Sequence, residues 1–202
     1  MIRRSWLMIT ISALLFVSCQ TTNKPYQPSK APPGFTIDEE GVLVHLHSGG
    51  SFPLYIRSFI RGHPHNYDRA GYDVSVGYRL YESGAAEATI YIYPSEGVDL
   101  KEHFGSLKDS IIYYHPQARQ IEEVDVAVEL DDGSELSGHC AVYTFEEIFH
   151  GRNRIVESQA FVFKKGNWFI AFRITYPVIA DQELIRKEVN LLITSFDYAA
   201  II

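Results

Sequence analysis

The stretch Trp168–Tyr176, WFIAFRITY, constrains the fold more than any other part of the chain. Trp168, Ile170, Phe172, Ile174 and Tyr176 recur at every second position, the spacing that puts side chains on one side of an extended strand. So large an apolar face has to be covered on folding, so this strand is expected to be the best buried of its set and to lie at the centre of a sheet. Pro177 ends it, Asp181 is a candidate N-cap, and Ile185, Val189 and Leu192 give a closing helix its apolar stripe.

Other strands announce themselves by the same alternation. Val42–His47 reads as a strand with Val42, Val44 and Leu46 on one side and Leu43, His45 and His47 on the other. Phe52–Ile60 reads as a second strand and Arg61–Gly71 as a polar loop holding His63-Pro64-His65. Tyr72–Tyr81 alternates cleanly, Ser83-Gly84 turns, and Ala88–Tyr93 is β-branched and aromatic. Asp99 with Glu102 opens a helix whose Leu100, Phe104, Leu107 and Ile111 share a stripe until Pro116 forbids continuation. Strands resume at Val124–Leu130, turn at Asp131-Asp132-Gly133, and continue over Leu136–Ile148 and, after His150-Gly151-Arg152-Asn153, over Ile155–Phe163. No internal repeat occurs. The fold class is α+β, a mostly antiparallel sheet with two main helices covering it.

The N-terminus carries an address. Arg3 and Arg4 precede a run that is apolar from Trp6 to Val17 except for Thr10 and Ser12, the layout of a secretory signal and too short for a bilayer span of roughly 20 apolar residues. The closing Leu15-Phe16-Val17-Ser18-Cys19 resembles the lipobox of bacterial lipoproteins. That resemblance implies cleavage before Cys19, a diacylglyceryl group on its sulfur, and, since Gln20 is not Asp, delivery to an outer membrane facing the periplasm. Two or more acyl chains suffice for stable anchoring, at about 0.8 kcal/mol per buried CH₂. Gln20–Gly34, fifteen Pro-rich polar residues, reads as a flexible tether reaching at most about 50 Å. The expected organisation is therefore a signal peptide over 1–18, a lipidated N-terminus and tether over 19–34, and one globular domain over 35–202.

Composition narrows the partners. With 46% hydrophobic and 13% aromatic residues the domain can build an ample core. Without Arg3 and Arg4 the chain has 16 basic residues against 25 acidic, a net of −9. Such a surface repels nucleic-acid phosphates and gains nothing from anionic headgroups, so the membrane is reached through the lipid and no nucleic-acid partner is expected. With Cys19 acylated, Cys140 has no intramolecular partner, and the fold must hold by packing alone.

The chain contains no Gly-x-Ser-x-Gly elbow, phosphate-cradling glycine loop, Cys-x-x-Cys pair or His-Glu-x-x-His helix. Asp131-Asp132-Gly133 is a hairpin turn and not a calcium loop, because the first ligand position would fall on Val128. His139 and Cys140 are strand neighbours and point to opposite faces, so they form no dyad, and Cys140 reads as a buried, inert thiol. The pairs Tyr91/Tyr93 and Tyr113/Tyr114 fit either a ligand face or ordinary packing. His45 and His47 leave one strand face together, and His63 and His65 could join them, a set suited to Zn²⁺ or Cu²⁺; the same residues also fit a solvated strand face and a polar loop.

The closing pattern, Trp168–Tyr176, a helix, then Leu191-Leu192-Ile193-Thr194-Ser195-Phe196, resembles the end of PsbP-like domains. That resemblance implies an α/β/α sandwich and an accessory or binding role, and carries over no site residue. The function expected is thus a non-catalytic, lipid-anchored envelope module without a cofactor, acting on another envelope protein or a small ligand. The alternative is a metal-binding envelope protein using the histidine pairs.

Overall fold

A computed structural model describes residues 26–81, 85–178 and 182–202. The signal segment, Cys19, the Ser83-Gly84 turn and the Asp181 cap lie outside the described residues. The elements in chain order are β1 (Phe35–Ile37), β2 (Leu43–His45), β3 (Ser51–Phe52), β4 (Tyr55–Ile56), β5 (Phe59–Asn66), β6 (Val74–Leu80), β7 (Glu87–Pro94), α1 (Leu100–Tyr114), β8 (Arg119–Glu129), β9 (Glu135–Phe149), β10 (Arg152–Lys165), β11 (Trp168–Pro177) and α2 (Gln182–Thr194). An eight-stranded sheet of order β4-β5-β6-β7-β11-β10-β9-β8 is antiparallel throughout, and a small sheet β1-β2-β3 stands beside it.

β11 is central, as its pattern implies, but it is buried on both faces. Trp168, Ile170, Phe172, Ile174 and Tyr176 enter one core with Ile185, Val189 and Leu192 of α2, Phe35, Leu43 and Phe52 of the small sheet, and Phe196, Tyr198 and Ile201. Phe169 and Ala171 enter a second core on the other face, with Phe104 and Ile111 of α1. A helix on each side of one sheet is the α/β/α sandwich. Asp99 caps α1 through its carboxylate, which accepts from the backbone N–H of Lys101 at 2.8 Å and of Glu102 at 3.4 Å.

The first third departs from the reading by alternation. Leu46 and His47 lie in a turn after β2, and it is the Leu43/His45 side, not a Val42/Val44/Leu46 side, that is buried. The expected strand Phe52–Ile60 breaks at Pro53: β3 joins the small sheet, while β4 folds back on β5 through a tight turn in which Arg57 takes φ 52°. The expected loop Arg61–Gly71 is strand as far as Asn66, with a register shift between Arg61 and Pro64. Pro64 fits there because β4 ends opposite Ile60, leaving this half of β5 at the sheet's edge, where a missing N–H costs no ladder bond. The domain also begins earlier than Phe35: the Tyr26 N–H donates to the Arg61 carbonyl at 3.3 Å, and Asn66 Nδ2 donates to the Pro33 carbonyl at 2.8 Å.

α2 is clamped to the sheet by a buried carboxylate. Glu157 accepts from both Arg186 Nε at 3.0 Å and Arg186 Nη2 at 2.6 Å, from Gln159 Nε2 at 3.0 Å and from the Tyr176 hydroxyl. Burial alone would raise the Glu157 pKa, and these donors together hold it below the usual carboxylate value. Removing one member of such a pair strands the other's charge. Arg186→Ala is therefore expected to lower unfolding free energy by roughly 1–3 kcal/mol in urea titrations at pH 7, less than for a fully buried pair because the Arg186 side chain is 46% exposed while that of Glu157 is 3% exposed; a loss under about 0.5 kcal/mol, the size of a surface pair, would contradict the clamp.

Candidate functional site

The four histidines of the metal-binding alternative do not gather at one point: the His45 and His47 rings lie 5.8 Å apart, edge to face, while His63 and His65 pack on other rings. His45 is fully buried, with Nε2–H donating to the Gly71 carbonyl at 2.7 Å and Nδ1 accepting from Ser48 Oγ at 2.7 Å, while Ser48 Oγ in turn accepts the Gly50 N–H at 3.1 Å. Both ring nitrogens are used, and burial lowers the pKa of the imidazole, the Gly71 bond opposing it. The His47 Nε2–H donates to the Ala70 carbonyl at 3.0 Å, and its ring stacks on Tyr72 at 3.7 Å. His63 packs on Tyr26 at 4.4 Å and His65 on Tyr67 at 4.5 Å, both on the exposed side of β5. Among the described residues no group of three or more His, Cys, Asp or Glu is placed to hold a metal ion. His45 is an internal strut: it joins the β2–β3 turn to the loop before β6, and Ser48 extends the contact by accepting the Ile202 N–H at 3.0 Å.

His139 and Cys140 do point apart. His139 stacks on Phe104 of α1 and contacts Asp125 at 2.7 Å, while Cys140 lies in the core on the α2 side. Burial, with Glu122 and Glu157 adding to it, pushes the thiol up to about 12. The tyrosines divide. Tyr78, Tyr143, Tyr176 and Tyr198 are core, Tyr91 and Tyr93 pack beside the α1-side core, and Tyr113 and Tyr114 are exposed at the end of α1 in a T-shaped pair.

A second buried polar cluster carries no sequence motif. On the α1 side of the sheet, Arg173 of β11 donates from Nε to Ser158 Oγ at 3.4 Å and from Nη2 to His115 Nε2 at 3.3 Å. Ser158 and Thr175, paired across β10 and β11, lie 3.1 Å apart through their hydroxyls. His115, the residue that caps α1, turns Nδ1 toward Glu147 at 3.6 Å. Burial and the Arg173 charge lower the His115 pKa to about 4, so the ring is neutral, and its approach to Glu147 is not an ion pair at pH 7. Nε2 must accept from Arg173 and is unavailable as a base. The Ser158 hydroxyl faces a guanidinium, which cannot take its proton. The cluster can hold and orient, but it has no activated nucleophile. The sequence signal was a single arginine inside the chain's most apolar strand.

The fold, an α/β/α sandwich, is PsbP-like. The solution structure of cyanobacterial PsbP (CyanoP) from Synechocystis sp. PCC 6803 superposes with a TM-score of 0.50 at 12% identity, over 84% of this chain and 95% of that one. A likeness at that identity concerns the fold alone. No family model matches the sequence, and no curated protein matches it.

Two outcomes follow. In the folded protein with Cys19 replaced, Cys140 should resist alkylation at pH 8 and react once denaturant is added; rapid labelling of the native state would contradict its burial. The second concerns acid. His103, whose Nε2 accepts from the Tyr93 hydroxyl at 2.7 Å, is like His115 lowered to about 4, in its case by burial. An unfolded histidine titrates near 6.5. Between those values the unfolded chain takes up protons that the folded one refuses, so stability is whole above pH 6.5 and declines toward pH 4. The decline is on the order of a few kcal/mol, more of it from buried His115 than from half-buried His103, which solvent screens. Urea titrations at pH 7.5 and 5 should show it, and His115→Gln should flatten it; an unchanged slope in the variant would contradict the assignment.

Proposed function

We infer that the protein is a bacterial envelope lipoprotein, held through a diacylglyceryl group on Cys19 at an outer membrane facing the periplasm, and serving as a non-catalytic binding or accessory module. The observation that carries the reading is the sequence Leu15-Phe16-Val17-Ser18-Cys19 at the end of the only signal-like apolar run, with a folded domain starting a few residues later at Tyr26.

The non-catalytic half of the reading is supported by where the reactive groups go. Cys140 is held protonated in the core, His45 spends both ring nitrogens on the fold, and His115 is committed to Arg173. The PsbP-like resemblance points the same way, to a domain that acts by contact with another envelope component. The metal-binding alternative needs ring nitrogens that His45 and His47 have given to carbonyls and a hydroxyl.

In fractionated cells, the unaltered protein is expected in the membrane pellet, and Cys19→Ser is expected to move it to the soluble fraction. Retention of the variant in the membrane would overturn the anchoring.

A further inference from the structure

The residues between the lipidation position and the domain were expected to let the domain stand well clear of the bilayer. Most of that length is built into the fold. Arg61, only 2% exposed, donates to the carbonyls of Gly41 at 3.0 Å and Tyr26 at 3.3 Å, and also to that of Phe52. The Tyr26 N–H returns a bond to the Arg61 carbonyl at 3.3 Å, and the Tyr26 ring lies 4.4 Å from that of His63. Eight residues further on, Gly34 and Gly71 meet backbone to backbone, so closely that a Cβ on Gly71 would sit 2.6 Å from Gly34 Cα. Only residues 20–25 separate Cys19 from the docked Tyr26. Fully extended, that connection spans roughly 25 Å.

Tyr26 docks on β5, next to the edge strand β4 of the eight-stranded order. At about 4.8 Å per strand, the opposite edge at β8 is roughly 29 Å from β5. The leash is shorter than the sheet is wide. The attached edge also displays two large aromatic side chains: Tyr55 of β4 is 48% exposed and Tyr81 is 52% exposed, their rings 5.8 Å apart and edge to face. Tyrosines of this kind, with an apolar body and a polar tip, suit the headgroup level of a bilayer. Lys30 and Arg57 on this side are balanced by Asp38, Glu39 and Glu40, all exposed, so charge does not draw the edge to anionic lipid.

We propose that the anchored domain is held close against the lipid surface with its β4–β5 edge toward the headgroups and its β8 edge away from them. The proposal rests on acylation at Cys19.

The full acylated chain, reconstituted in phosphatidylethanolamine/phosphatidylglycerol vesicles, tests it. A fluorophore on Ser58→Cys, in the β4–β5 turn, is compared with one on Asp132→Cys, in the β8–β9 turn, Cys140 staying unreactive in its core. Headgroup spin-labelled lipid is expected to quench the Ser58 position several-fold more than the Asp132 position. A ten-residue Gly/Ser insertion between Pro25 and Tyr26, which lengthens the leash and keeps every described residue, is expected to bring the two toward equality. Equal quenching of both positions in membrane-bound protein without the insertion, or a bias that the insertion leaves unchanged, overturns the orientation and leaves the anchor standing. Protein that fails to float with the vesicles overturns the anchoring itself.

Discussion

Everything in the domain depends on β11 lying between β7 and β10. The chain makes one antiparallel series from β4 to β7, crosses through α1, makes a second from β8 to β10, and only then inserts β11 to join the two. Because the joining strand has covered neighbours on both sides and a core on both faces, it must be apolar at nearly every position. Trp168–Tyr176 meets that demand with Arg173 as its only charged member. Each of its large side chains contributes on the order of 1.5–3 kcal/mol when fully buried. No disulfide links the halves, since the only cysteine among the described residues is free.

Two polar assemblies are laid across this strand, one on each face. On the α2 face, Tyr176 joins Glu157 and Arg186 and fixes where the last helix sits. On the α1 face, Arg173 reaches the histidine that closes α1. Both helices are therefore located by hydrogen bonds that originate on, or next to, β11, while apolar packing supplies the bulk of the energy. Directional bonds of this sort add little net stability when intact and cost much when half broken, so they select one packing among several of similar area.

The central strand, both helices and the antiparallel class were legible because each rests on a periodicity long enough to read. The two-faced burial of β11 was less so: its odd positions include Ala171, Arg173 and Thr175, which alone suggest a wetter face. The part of β5 from Arg61 onward reads as loop because His63, Pro64 and His65 look like turn chemistry, and nothing local shows that this half of the strand borders no partner. β1, three residues long, is below what alternation can detect. His45 shows the limit for sites. Its place on the strand was nearly right, but its meaning came from Ser48 and Gly71, and Gly71 is 26 residues away. Spacing that brings two imidazoles to one face says nothing about which carbonyls will reach them first. The Arg173 cluster draws on α1, β9, β10 and β11, so no local pattern could have assembled it.

The functional reading joins this body to its N-terminus. A domain that takes up its own leader from Tyr26 onward, and that keeps its thiol and histidines occupied with structure, fits a protein positioned at a surface to be bound. The whole of that reading passes through one sulfur atom. Mass spectrometry of the N-terminal peptide from membrane-extracted protein is expected to show a chain beginning at Cys19 and carrying a diacylglyceryl mass. A peptide that begins elsewhere, or an unmodified Cys19, would contradict it.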